Sequence, residues 1–131
     1  MGARLAYAKV IDRQVFYEKG GNLHPKLENE VLVQAEPGKA GAFLVFRAWA
    51  DDHGAFTEQW AIKEPEGRTI YQSSPREIHM PTPSHTERLE DEVADLVLDF
   101  AADDYQLVFF LDEREIARMN FPVKVSSNGN G

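Results

Sequence analysis

Cysteine is absent from this 131-residue chain. Disulfides, thiolate zinc sites and cysteine nucleophiles are therefore excluded. No glycine-rich phosphate loop, nucleophile elbow or helix-borne metal motif occurs either, so no catalytic signature stands out. Apolar runs fall far short of the roughly 18 residues a membrane span needs. The first seven residues carry neither the apolar run nor the cleavage site of a signal peptide. These absences lead to the expectation of a cytoplasmic, non-enzymatic protein with no cofactor, no metal and no membrane span.

Positive charge is scarce. Fourteen Lys and Arg stand against 22 Asp and Glu, a net charge of −8, whereas a phosphate backbone asks for a basic face. Nucleic acid is accordingly not an expected partner. The imbalance is local: residues 87–104 hold eight carboxylates against Arg88 alone, a net −7. What the chain does have is apolar residues in short bursts, 43% of the total. At this length that is enough to fill one core. Residues 1–125 thus read as one domain, and the small polar residues 126–131 as a disordered tail.

Period-two alternation recurs along the chain. Residues 5–18 read as one long strand or two short ones, with Asp12-Arg13 as a bend. Residues 30–35 form a short strand closed by Pro37-Gly38. In 42–50, Phe43, Val45 and Trp49 share one face while Leu44, Phe46 and Ala48 share the other. A strand apolar on both faces is usually covered on both. Phe56, Glu58, Trp60 and Ile62 alternate against Thr57, Gln59, Ala61 and Lys63. Glu64-Pro65-Glu66-Gly67-Arg68 is a hairpin turn leading into 69–72. The prolines at 75, 81 and 83 confine any intervening strand to an edge piece near 77–80. Residues 105–111 are again apolar on both faces, and Pro122 makes the last strand, 116–125, an edge or a bulged one.

Residues 84–100 pull two ways. Ser84 and Glu87 form a capping box, and Leu89, Val93, Leu96, Val97 and Phe100 lie on one helical stripe, but Leu98 falls opposite it. We read a short helix around 86–92 followed by a strand. Seven to nine short strands with turn chemistry between them then predict a mainly β fold, an antiparallel Ig-like sandwich.

The C-terminal half carries a recurring arrangement: Trp60 to Gly67 with Ile70-Tyr71, then Leu96 to Phe100, Tyr105 to Asp112, Ile116-Ala117 and Phe121-Pro122-Val123. This resembles small bacterial Ig-like β-sandwich proteins of unknown function. The resemblance implies the fold and no activity.

Four groups of residues invite a functional reading. His24, His53, His79 and His85 show no metal-ligand spacing and read as solvated loop residues. Trp49, Trp60, Tyr71, Tyr7 and Tyr17 could line a sugar platform, although both tryptophans sit among core residues. Asp91, Asp95 and Asp99 recur every four residues, as a solvated face or a surface steering a basic partner. Phe46, Val108 and Phe110 lie on the second apolar faces of their strands. Another part of the chain covers them, or a partner does. The expected function is a non-catalytic protein-binding or scaffold module, able to self-associate. The alternative is an acidic inhibitor docking residues 87–104 on a basic partner.

Overall fold

Alternating segments become strands almost wherever they occur. A computed structural model describes residues 2–23, 27–29, 31–33, 38–98 and 104–125. In chain order these form β1 (Arg4–Asp12), α1 (Arg13–Glu18), β2 (Val31–Val33), β3 (Phe43–Ala50) and β4 (Gly54–Lys63). Then follow β5 (Thr69–Gln72), β6 (Arg76–Met80), β7 (Glu87–Val93), β8 (Asp104–Leu111) and β9 (Arg114–Val125). Three strands make one sheet in the order β1-β3-β7. Six make the other, in the order β2-β9-β8-β4-β5, with β6 also paired to β4. All pairings are antiparallel except the short parallel one of β2 with β9. The expected mainly β sandwich is thus the fold.

The two sheets face each other through apolar side chains placed by the strand period. Phe43, Val45 and Trp49 of β3 meet Trp60 and Ile62 of β4 and Leu107 and Phe109 of β8 in the main core. β4 has two partners along one edge: β6 pairs with its first half and β5 with its second. The Glu64–Arg68 turn closes as expected, with the Gly67 N–H donating to Glu64 O at 2.8 Å and Gly67 at φ 105°. Pro122 sits opposite Asp104, where β9 passes from β8 to β2, so its missing N–H disturbs neither ladder centrally.

Two stretches depart from the sequence reading. No helix forms at 86–92; that stretch is β7. The capping box is not made, because the Ser84 hydroxyl pairs with that of Thr82 at 3.1 Å and Glu87 reaches His85 at 2.7 Å. Strand geometry instead turns Leu89, Asp91 and Val93 toward the core, where Val93 is buried. Tertiary contacts override a weak helical stripe. Of the strand expected to follow, the described residues 94–98 form an irregular segment with a bridge from Lys39 to Val97, Leu98 is buried as expected, and residues 99–100 lie outside the described residues. The second departure is α1, which lies where strand was expected. Asp12 caps it, accepting from the N–H groups of Gln14 and Val15 at 3.1 and 3.2 Å. The tail, 126–131, lies outside the described residues.

Helix α1 explains the outer face of β3. Phe16 packs on Phe46 with ring centroids 5.1 Å apart, and Ile11, Leu27 and Leu44 complete a second small core there. The N-terminal segment covers its own sheet.

Candidate functional site

Between Val45 and Trp49, on the core side of β3, stands Arg47, with its side chain only 1% exposed. A guanidinium in such a place is tolerable only when fully paired. Its partner is Glu58, equally buried, on the core side of β4: Nε donates to Oε2 at 2.6 Å and Nη2 to Oε1 at 2.7 Å. This two-pronged pairing is the strong form of an arginine–carboxylate contact. The Trp49 indole N–H also donates to Glu58 Oε2, at 3.2 Å. A second carboxylate, Asp91 of β7, lies 3.1 Å from Arg47 Nη2. Asp91 accepts the Trp60 indole N–H at 2.8 Å and Arg76 Nη2 of β6 at 2.8 Å.

Six side chains on four strands therefore join the two sheets by charge. Arg47, Trp49 and Asp91 come from the small sheet, and Glu58, Trp60 and Arg76 from the large one. Among the described residues no buried side-chain nitrogen or oxygen lacks a hydrogen-bond partner. Burial alone would push the Asp91 carboxyl up. The Trp60 hydrogen bond and the charges of Arg47 and Arg76 outweigh that and hold it below its ordinary value. Asp91 thus remains ionised. It is a fixed anion and hydrogen-bond acceptor, unsuited to donating a proton.

The network grades outward into solvent. Arg76 is 43% exposed, and around it opens a cleft of about 260 Å³ lined by Tyr71, Ser74, Arg76, Asp91 and Glu92 among others. Tyr71 forms one wall, its ring packed on Trp60 at 5.3 Å. Ser73, at the turn from β5 to β6, is held from behind: its hydroxyl accepts the Trp60 backbone N–H at 2.9 Å. The cleft thus spans the gap between the edges of the two sheets.

The residues singled out from sequence are scattered. Phe46 is buried under α1 on the outside of the small sheet, while Val108 and Phe110 point to the outside of the large one. They form no common patch. Val108 is fully buried, opposite Ala61 and Arg118, and Arg118 reaches across to Gln106 at 2.8 Å. Phe110 is half-buried beside Gln59. Of the three aspartates, Asp91 turns into the network, Asp95 sits at φ 63° with Lys39 at 3.1 Å, and Asp99 lies outside the described residues. Both tryptophans are buried, and Tyr71 alone of the aromatics singled out lines the inter-sheet cleft. His24 lies outside the described residues. His53 is exposed, His79 stands exposed on β6, and His85 pairs with Glu87. No cluster of three metal-ligating side chains occurs among the described residues.

The sequence reading passed over Arg47, Glu58 and Arg76. The signal was present for two of them: each is the one charged residue on the apolar face of its strand.

No protein-family model and no curated protein matches the chain. Among solved structures it is similar to the Pseudomonas fluorescens alkylpurine DNA glycosylase AlkC bound to DNA containing an abasic site analog. There the TM-score is 0.52 at 6% identity, over 93% of this chain and 30% of that one. A glycosyl hydrolase family 2 member from Bacteroides cellulosilyticus aligns at TM-score 0.49 and 14% identity, over 72% of this chain and 15% of its own. Bifidobacterium dentium beta-glucuronidase complexed with coumarin-3-O-glucuronide aligns at TM-score 0.48 and 14% identity, over 93% and 18%. The chain spans less than a third of any of these proteins, and at 6% identity the likeness to AlkC is one of fold alone.

Proposed function

We propose that the chain is a non-catalytic, Ig-like protein-binding or scaffold module that acts in the cytoplasm and meets its partner through a sheet edge. The observation that carries this reading is the small sheet. Its outer apolar face is covered by α1, yet β1 and β7 have no further strand beside them among the described residues. Unpaired strand edges are ready-made templates for another chain. On β1 the later half is already occupied, since the Val10 N–H donates to Asn29 Oδ1 at 2.9 Å. The stretch around Tyr7, which is 36% exposed, is the open part. Charged side chains near the centre support a structural rather than a catalytic reading, because they are engaged with one another.

The acidic-inhibitor alternative has less support. Asp91, Glu92 and Asp95 turn to Arg47 and Arg76, Arg13, and Lys39 respectively, and Glu87 meets His85, so four of the eight carboxylates in the window are already engaged within the chain. Among the described residues no helix is long and apolar enough to cross a membrane.

The test is light scattering at two salt concentrations, followed by crosslinking in cell lysate at the same two concentrations, for the wild type and Ala6→Pro. Ala6 lies in the irregularity between Leu5 and Tyr7, outside the β1–β3 register. A monomer whose salt-insensitive crosslinked partner is lost in Ala6→Pro supports an edge-docking module. Capture that collapses with salt would favour the acidic antagonist, by screening, and a stable dimer would make the module self-associating.

A further inference from the structure

From the chemistry of the inter-sheet cleft we infer that it is a binding site for a neutral, hydroxyl-rich ligand of the size of one sugar ring. This inference is independent of the edge-docking reading, since the cleft lies at β5, β6 and β7 and does not involve β1. Three features carry it. First, the charge is balanced: Arg76 faces Asp91 at 2.8 Å, and Glu92 has Arg13 at 3.4 Å. A simple anion meets Asp91, and a simple cation meets Arg76, so neither is favoured. A neutral molecule with adjacent hydroxyls can use both, donating to a carboxylate and accepting from a guanidinium.

Second, the polar groups are held in place before any ligand arrives. Asp91 is fixed by Arg47 and Trp60 from behind and itself fixes one end of Arg76. Among the described residues the Arg76 Nε and Nη1 groups have no partner, and Ser74 offers an exposed hydroxyl. Pre-fixed donors and acceptors lose little freedom on binding.

Third, Tyr71 supplies an aromatic wall, braced by its packing on Trp60. The cleft is smaller and more polar than most small-molecule pockets, which fits a small ligand that is itself rich in hydroxyls. A sugar ring presents C–H groups to such a wall and hydroxyls around its rim. Of the aromatics weighed from the sequence as a sugar platform and read there as core, Tyr71 lies at the cleft.

The experiment is NMR titration of the intact, 15N-labelled chain with methyl pyranosides of glucose, galactose, mannose and N-acetylglucosamine, with sodium acetate and methylguanidinium as charged controls. The expected result is saturable binding of at least one pyranoside in the millimolar range. It should shift the Trp60 indole N–H and the amides of Ser74, Arg76 and Glu92, while neither control does. Tyr71→Ala and Arg76→Gln should each weaken binding by about tenfold. Ser74→Ala, on an exposed hydroxyl, should weaken it less and leaves the fold untouched should either larger change disturb it. Acetate or methylguanidinium shifting the same signals more strongly than every pyranoside would overturn the inference. So would the absence of any saturable shift in the wild type.

Discussion

Phe46 and Arg47 are neighbours on one strand, and the environments they enter invert the usual order of a sandwich. Arg47 points between the sheets and is met by charge; Phe46 points outward and is met by hydrocarbon. The inner site is held by directional bonds among six side chains from four strands, and the outer one by the packing of a six-residue helix. The inner face therefore ties the two sheets to each other, while the outer face ties α1 to one sheet only. Breaking the first should unfold the whole molecule, and breaking the second should loosen one corner.

The largest effect is expected from Glu58→Ala, which leaves Arg47 buried with much of its charge uncompensated. A loss of about 3–5 kcal/mol of stability follows from removing one partner of such a pair, read from denaturant midpoints. Removing both charges, in Arg47→Met with Glu58→Leu, should recover much of that loss, because burying the pair was itself costly. A double variant no better than Glu58→Ala would mean that the network specifies how the sheets meet. Phe16→Ala should cost somewhat less, about 3 kcal/mol for an aromatic ring removed from a small core. Its signature should be regional: faster amide exchange in α1 and at Leu44 and Phe46, with Trp60 and Leu107 still protected. Exchange rising equally throughout would erase the distinction between the two faces.

Asp91 sharpens the inner half of the comparison through pH. Its folded value is held below the ordinary one, so the stabilisation it gives is complete above about pH 4, the unfolded value. It is lost as pH falls through the lower folded value. Asp91→Asn should cost about 2 kcal/mol at neutral pH, for charge-assisted hydrogen bonds weakened, and should remove this part of the acid sensitivity. If the wild type and Asp91→Asn lose stability in parallel below pH 4, the carboxylate is not what fastens β7 to the large sheet.

How legible this was depends on the scale of the signal. Alternation is a local signal, and it placed strands at 42–50, 69–72 and 105–111 to within a residue or two. At 86–92 the local signal was helical and the outcome was set by distant groups, Arg47 and Trp60, that hold Asp91 in a strand. The four-residue recurrence of Asp91, Asp95 and Asp99 would gather them only on a helix; β7 ends at Val93, and Asp91 turns to Arg47 while Asp95 meets Lys39. For the network, strand phase already put Arg47 beside Val45 and Trp49, and Glu58 beside Trp60, which is a pairing readable in principle. Arg76 gave no such sign, because it lies on a short exposed edge piece and meets Asp91 only once the sheets have closed. The cleft, built by a turn and two sheet edges, has no sequence pattern of its own.

The smallest expected effect is a gain, at a turn that belongs to neither face. Leu111 and Arg114 pair across Asp112 and Glu113, and both turn residues have positive φ, 51° and 69°. This is the backbone of a two-residue hairpin turn that favours Asp-Gly or Asn-Gly. A glutamate there bears a steric cost that glycine does not. Glu113→Gly should therefore stabilise by about 0.5–1 kcal/mol, the cost in chain entropy partly offsetting the relief. Asp112 is the wrong choice for the same change, since its carboxylate accepts the Thr57 N–H at 2.9 Å and Asp112→Gly forfeits that bond. The gain also tests the two faces against each other. The turn lies in the large sheet, so Glu113→Gly should add to the stability of Glu58→Ala, where unfolding is global. In Phe16→Ala it should raise the global midpoint yet leave the fast exchange of α1 unchanged, because stabilising the large sheet does nothing to a corner that opens on its own.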